Sequence, residues 1–166
     1  YDGKEAAKTH LVNNLVIPLF RKKLYQQLIE NKNYQEAKTL IEEGIKVNEE
    51  DYNAVINWYK KLLFIAEETK DIEGVTTNSA ILFLNINDPI ESIKYFIIHK
   101  EQFAEEDWKK QLQLLIPKVE NKKKLEEVYL TEGLTDELLK SVSEDNNLYF
   151  WGIDLLPFSN KHLDKL

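Results

Sequence analysis

A helix-start or turn signal recurs near residues 34, 52, 72, 90, 108 and 125, so one helix with its turn takes about 18 residues and a pair takes about 36–38. That is the size of a helix-pair repeat, and up to four pairs fit the 166 residues. A short helix that is apolar on one face is marginal alone and must bury that face on a neighbour. The period therefore predicts an all-α chain of antiparallel helix pairs stacked one on the next, about eight to nine helices in a single domain spanning residues 1–166.

The most regular stretch is residues 33–48, where Tyr34, Ala37, Ile41, Gly44, Ile45 and Val47 fall on one helix face between charged residues. Ala37 and Gly44 mark close helix approach, since a glycine in a helix interior otherwise costs about 1 kcal/mol relative to alanine. Residues 15–30 precede it, regular from Pro18, with Leu19, Phe20, Leu24, Leu28 and Ile29 as the buried stripe. Residues 51–69 carry Val55, Ile56, Trp58, Tyr59, Leu62, Leu63, Ile65 and Ala66, a face wide enough to be packed on two sides. Residues 72–84 bring in Val75, Ile81, Leu82 and Phe83.

The clearest helix start is Asp88-Pro89-Ile90-Glu91, with an N-cap, proline at the first helical position and a capping-box spacing. Its helix carries Ile90, Ile93, Tyr95, Phe96, Ile97 and Ile98. Glu105-Glu106-Asp107 opens the next, with Trp108, Leu112, Leu115 and Ile116, and Pro117 limits it. Residues 122–132 form a short helix stopped by Gly133, and residues 134–142 another. Residues 1–14 are a polar, frayed start, and residues 146–166 an aromatic-rich cap over the open end of the stack.

Composition removes several classes of function. Five glycines and four prolines are too few for strands joined by tight turns. A net charge of −7, with Arg21 as the single arginine, argues against nucleic acid as partner. No cysteine is present, which excludes disulfides, thiolate metal sites and cysteine nucleophiles and fits a cytoplasmic setting. Apolar runs such as residues 81–84 are too short to span a bilayer. With no methionine at position 1, the chain is expected to be part of a longer product or to follow a removed leader.

Residues 21–49 resemble a tetratricopeptide repeat, whose helices read W-x₂-L-G-x₂-Y and A-x₃-F…P. Leu24 and Ala37 occupy their slots unchanged, Leu28 stands in the tyrosine slot and Ile41 in the phenylalanine slot. Arg21 departs at the tryptophan slot, Tyr25 at the small-residue slot and Glu49 at the proline slot. In the second pair Tyr59, Leu62 and Val75 keep register while Leu63 and Ser79 do not. A looser similarity covers Trp58-x₃-Leu62-Leu63, Leu82-Phe83-Leu84, Glu105-Glu106-Asp107-Trp108 and the run from Glu132-Gly133-Leu134 to Asp136-Glu137-Leu138-Leu139. It is similar to the helical region of bacterial proteins carrying a SWIM-type zinc finger, but the finger does not carry over without cysteine. The first resemblance implies a TPR-like superhelix binding a protein or peptide along the first helix of each pair, here through Arg21, Lys22, Gln26, Asn57, Lys60 and Lys61.

Groups with catalytic chemistry do not converge in the sequence. His10, His99 and His162 are far apart, and His99 and Glu101, two residues apart, diverge on a helix. Ser159, His162 and Asp164 hold the letters of a triad without a nucleophile elbow. Adjacent acids such as Glu42-Glu43 and Glu126-Glu127 point about 100° apart and read as solvated faces. Lys118 and residues 122–124 form a basic cluster that reads as a helix end. The expectation is a non-catalytic scaffold with no cofactor or metal. One alternative is a structural or dimerisation segment of a multidomain bacterial protein, using Tyr149, Phe150, Trp151 and Phe158 as cap or interface. The other is an enzyme, which would need a deep pocket joining His99 to Glu101 or Asp107.

Overall fold

The computed structural model describes residues 18–143 together with Gly3 and Thr9. Apart from those two, the expected frayed start lies outside the described residues. So do the aromatic cap with Tyr149, Phe150, Trp151 and Phe158, and His10, Ser159, His162 and Asp164.

Eight α-helices follow one another among the described residues. They are α1 Pro18–Glu30, α2 Tyr34–Val47, α3 Tyr52–Thr69, α4 Ile72–Asn85, α5 Pro89–Lys100, α6 Glu105–Leu115, α7 Lys122–Glu132 and α8 Thr135–Ser143. A 3₁₀ turn, Ile116–Lys118, ends α6, at the proline that limited it in the sequence. Five starts are set by side-chain caps. Asn33, Asp51, Asp71, Asp88 and Asn121 accept from the amides of Glu36, Ala54, Gly74, Glu91 and Lys124, and each such cap contributes about 1 kcal/mol. The last two long helices start at residues 105 and 122, earlier than the even period of 108 and 125. Gly133 ends α7 with φ +67°, a conformation that glycine adopts without a Cβ penalty.

Consecutive helices pack antiparallel from α1 to α5, and no sheet is present among the described residues. After α5 the backbone order changes, because α5 lies against α7, and α8 packs on α7. Helix α6 is attached mainly by side chains, with Trp108 and Leu115 buried beside Phe83, Phe96 and Val128. The core runs as three connected clusters. The first joins α1, α2 and α3 around Leu24, Leu28, Ile41, Trp58 and Leu62. The second joins α3 and α4 around Ile56, Leu63, Val75 and Leu82, with Tyr95 and Ile98 of α5 against it. Helix α3 thus serves both clusters, as its wide apolar face predicts.

Several sequence expectations need correction. Leu19, Val47, Ile90 and Ile97 are exposed rather than inward, at 57, 61, 70 and 41%. In α2 the buried face is Ala37, Leu40, Ile41 and Gly44, so Leu40 takes the place assigned to Val47. In α1 the stripe passes through Arg21 instead of Leu19. The 3.6-residue period explains Leu19, which lies on the side of α1 opposite Arg21 and Leu28, whereas Val47 shares the face of Leu40 but is the last residue of α2 and is left exposed there.

The inward guanidinium is accommodated by Gly44. Arg21 Nη1 donates to the Leu40 carbonyl of α2 at 2.8 Å and lies 3.8 Å from Glu43 Oε2. A Cβ on Gly44 would stand 3.0 Å from Arg21 Cδ and 3.1 Å from Trp58 Cε2. The close approach marked by that small residue is therefore between α2, Arg21 of α1 and Trp58 of α3. Two effects compete on substitution: alanine recovers about 1 kcal/mol of helix propensity, while added volume in a packed core costs about 1–3 kcal/mol. Gly44→Ala is expected to be near neutral and Gly44→Val to cost about 2 kcal/mol, because valine adds crowding without alanine's propensity. Urea melts of both variants check this, and a valine variant as stable as wild type would show that the gap is not tight.

Candidate functional site

Lys22, Tyr25 and Gln26 lie one turn apart on α1, and Asn57, Trp58 and Lys61 one turn apart on α3, so each set shares a helix side. The two sets meet across the helix boundary. Tyr25 and Trp58 stand edge to face with ring centroids 6.4 Å apart. Lys61 Nζ lies over both rings, 3.8 Å from the Trp58 centroid and 4.6 Å from that of Tyr25. Lys22, Gln26 and Asn57 are exposed on the same two helices.

Burial and, second, the charge of Lys22 push the Lys61 ammonium down to about 8. The aromatic faces pull the other way by about 0.5–1 kcal/mol, less than the ~1.4 kcal/mol that one pH unit represents, so the depression persists. No carboxylate among the described residues pairs with Lys61. The result is a cation held half-dry on an aromatic floor and repelled by a second cation. It is open to an anionic group.

The other residues assigned from the sequence fare differently. Arg21 is 5% exposed and spent on Leu40 and Glu43, so it does not belong to an exposed face. Lys60 is half-buried and bound to Glu91 at 2.6 Å, a hydrogen bond that raises its ammonium pKa. It ties α3 to α5. Of the six residues, Lys61 rests on Trp58 with the charge of Lys22 acting on it, and Gln26 and Asn57 are exposed on the same two helices. Sequence reasoning missed the aromatic floor, although Trp58 and Lys61 stand at the i, i+3 spacing that brings side chains together.

Two larger concavities lie elsewhere among the described residues. A groove of about 700 Å³ between α2, α3 and α4 contains Lys38 and Asp71, 3.8 Å apart. One of about 730 Å³ between α5, α6 and α7 is lined by Ile97, Phe103, Trp108 and Leu112. At its edge Glu132 accepts from Trp108 Nε1 at 3.0 Å and from Lys100 Nζ at 2.9 Å. The basic cluster read at residues 118–124 is broken up, because Lys124 turns inward and donates to the carbonyls of Phe83 and Leu84 at 2.8 and 3.0 Å. Those are orphan carbonyls at the end of α4, which a lysine cation can cap.

No family model matches the chain, and no curated protein or solved structure matches it. The chemistry of the site therefore stands on its own geometry.

His99 packs into the core among aromatic rings. It is 6% exposed, with its ring against Phe103 and Trp108, while Glu101 and Asp107 are exposed. Nδ1 stands 3.0 Å from the Thr76 carbonyl, which only accepts, so this nitrogen carries the proton. Ser79 Oγ is 3.5 Å away but bonds the Val75 carbonyl at 2.6 Å. With Nδ1 donating, it is no base for that serine. Burial lowers the His99 pKa below its ordinary 6.5, against an opposing contribution from the Thr76 hydrogen bond. The unfolded chain then binds the proton first, so the stability contributed by neutral His99 is fully present above about pH 6.5, declines as the pH falls below it, and levels off beneath the folded pKa. Thermal melts from pH 7.5 to 5 should show a fall that His99→Gln reduces. An unchanged slope in that variant would assign the titration to other groups.

Proposed function

We infer that the chain is a non-catalytic helical-repeat scaffold, stacked in the tetratricopeptide manner, that binds a protein or peptide partner on the surface of α1 and α3. The binding residues in this reading are Lys22, Gln26, Asn57 and Lys61. The observation that carries it is Lys61, a half-buried cation without an anionic partner among the described residues, on the floor made by Trp58 and Tyr25. Sequential antiparallel helices support the repeat architecture. A broad face, rather than a deep cleft, suits an extended segment of a partner.

The charge pattern selects the partner's chemistry. In a chain of net charge −7, a local pair of cations favours an acidic stretch, and the surrounding field disfavours other modes of approach. The aromatic floor gives the same site apolar contact area. Such binding weakens with salt, because the contacts lie at the surface.

A fluorescein-labelled acidic peptide, a dodecamer rich in Asp and Glu, tests this by anisotropy with the whole chain. Lys22→Glu and Lys61→Glu should each weaken binding about tenfold, the scale of reversing one partly exposed ion pair, while Lys118→Glu should not. Absence of binding, or an equal loss with Lys118→Glu, sinks the reading.

A further inference from the structure

The groove between α5, α6 and α7 encloses about 730 Å³, a volume within the roughly 300–1,000 Å³ of clefts that hold a ligand. Ile97, Phe103, Leu112 and Leu134 give it an apolar wall, and Ile97 is open to solvent there. Charges at the rim are matched within the chain: Lys100 lies 2.9 Å from Glu132 and Lys109 3.6 Å from Glu105, with exposed Glu101 beside them. A strongly charged segment gains little from such a rim, whereas the wall favours an uncharged, apolar one.

The chain carries such a segment close by. Helix α8 ends at Ser143, and residues 144–166 lie outside the described residues. Residues 146–153 read Asn-Asn-Leu-Tyr-Phe-Trp-Gly-Ile and carry no charge, between Glu144-Asp145 on one side and Asp154 on the other. Leu148, Tyr149, Phe150, Trp151 and Ile153 are large and apolar or aromatic. Burying a large apolar side chain is worth roughly 1.5–3 kcal/mol, so this run gains by meeting a wall.

The distances allow it. Leu134, on the groove wall, lies about 14 Å before Ser143 at the ~1.5 Å rise of a helix. Residues 144–148, extended, span about 17 Å at ~3.4 Å each. A chain that doubles back beside α8 therefore brings residue 148 level with Leu134 and residues 149–153 into the groove. Residues 1–17 are the less suitable occupant, because they adjoin α1, which belongs to the first cluster, while Trp108 on the groove belongs to the third.

We propose that residues 148–153 dock into the groove between α5, α6 and α7 of their own chain and fill it as an internal ligand. The short tether from α8 holds them there at an effective concentration in the millimolar range, about what a short flexible linker provides. A segment of another molecule that uses this wall must compete with them. This inference does not depend on the partner-binding reading, which concerns α1 and α3.

The experiment uses the whole chain with the photo-cross-linker p-benzoylphenylalanine in place of Ile97 and, separately, in place of Lys109, which is exposed on α6. After irradiation, monomer and dimer are separated and the cross-linked peptides identified by mass spectrometry. The expected product is a monomer joining position 97 or 109 to residues 148–153, several-fold more abundant than the same cross-link from position 47, exposed on α2. The double substitution Phe150→Ser with Trp151→Ser is expected to reduce it several-fold. Cross-links confined to the groove's own residues overturn the proposal. A cross-linked dimer that rises with protein concentration also overturns it, and assigns the groove to a second copy. A yield equal to that from position 47, or unmoved by the double substitution, overturns it as well.

Discussion

Helix α3 must be buried on two sides at once, and the rest of the packing follows from that requirement. Trp58, Leu62 and Ile65 face the cluster with α1 and α2, while Ile56, Leu63 and Ala66 face the one with α4. A helix with apolar residues on so much of its circumference has no stable arrangement at a surface. Its neighbours must therefore come from both directions along the chain, and the short turns on either side supply them. The ends are fastened as well as the middle: the Tyr52 hydroxyl donates to the Asn85 carbonyl, and Tyr34 to Glu68 at 3.2 Å.

Polar groups inside the stack are placed where backbone or a single counter-group can satisfy them. Lys124 caps the end of α4 from α7, linking two helices distant in sequence. Glu132 gathers Lys100 and Trp108, joining α5, α6 and α7 at the point where α6 lacks close backbone neighbours. Glu126 is an exception. Its Oε1 accepts from Ser141 at 2.9 Å, but its buried Oε2 has no hydrogen-bond partner among the described residues. Removing one member of such pairs costs more than the pair contributes, because the survivor is left buried and unpaired.

The helices were largely legible in the sequence because their signals are local. Asp88 with Pro89, Gly133 and the cap residues act within one turn, and the boundaries they imply agree with the structure to within a residue or two. What was not legible depends on contacts between distant residues. Arg21 looks like a surface cation until Leu40 and Gly44 are brought to it, and Lys124 looks like part of a basic cluster until the end of α4 is. The candidate site has the same character. Lys22 and Lys61 could be chosen from helix position, whereas the shared floor of Tyr25 and Trp58 requires α1 and α3 to be side by side. The displacement of α6 by direct packing of α5 on α7 has no local signature at all.

The gap at Gly44 has a consequence for how such a sequence can drift. Arg21, Gly44 and Trp58 fill one volume from three helices, with a missing side chain at the centre. Positions 21, 44 and 58 are therefore not free to vary independently. A relative with a bulkier residue at 44 would need a smaller one at 21 or 58, and losing the indole would also remove the ring on which Lys61 rests. The three positions should covary as a set across homologues, and the chemistry of the half-buried lysine would drift with them.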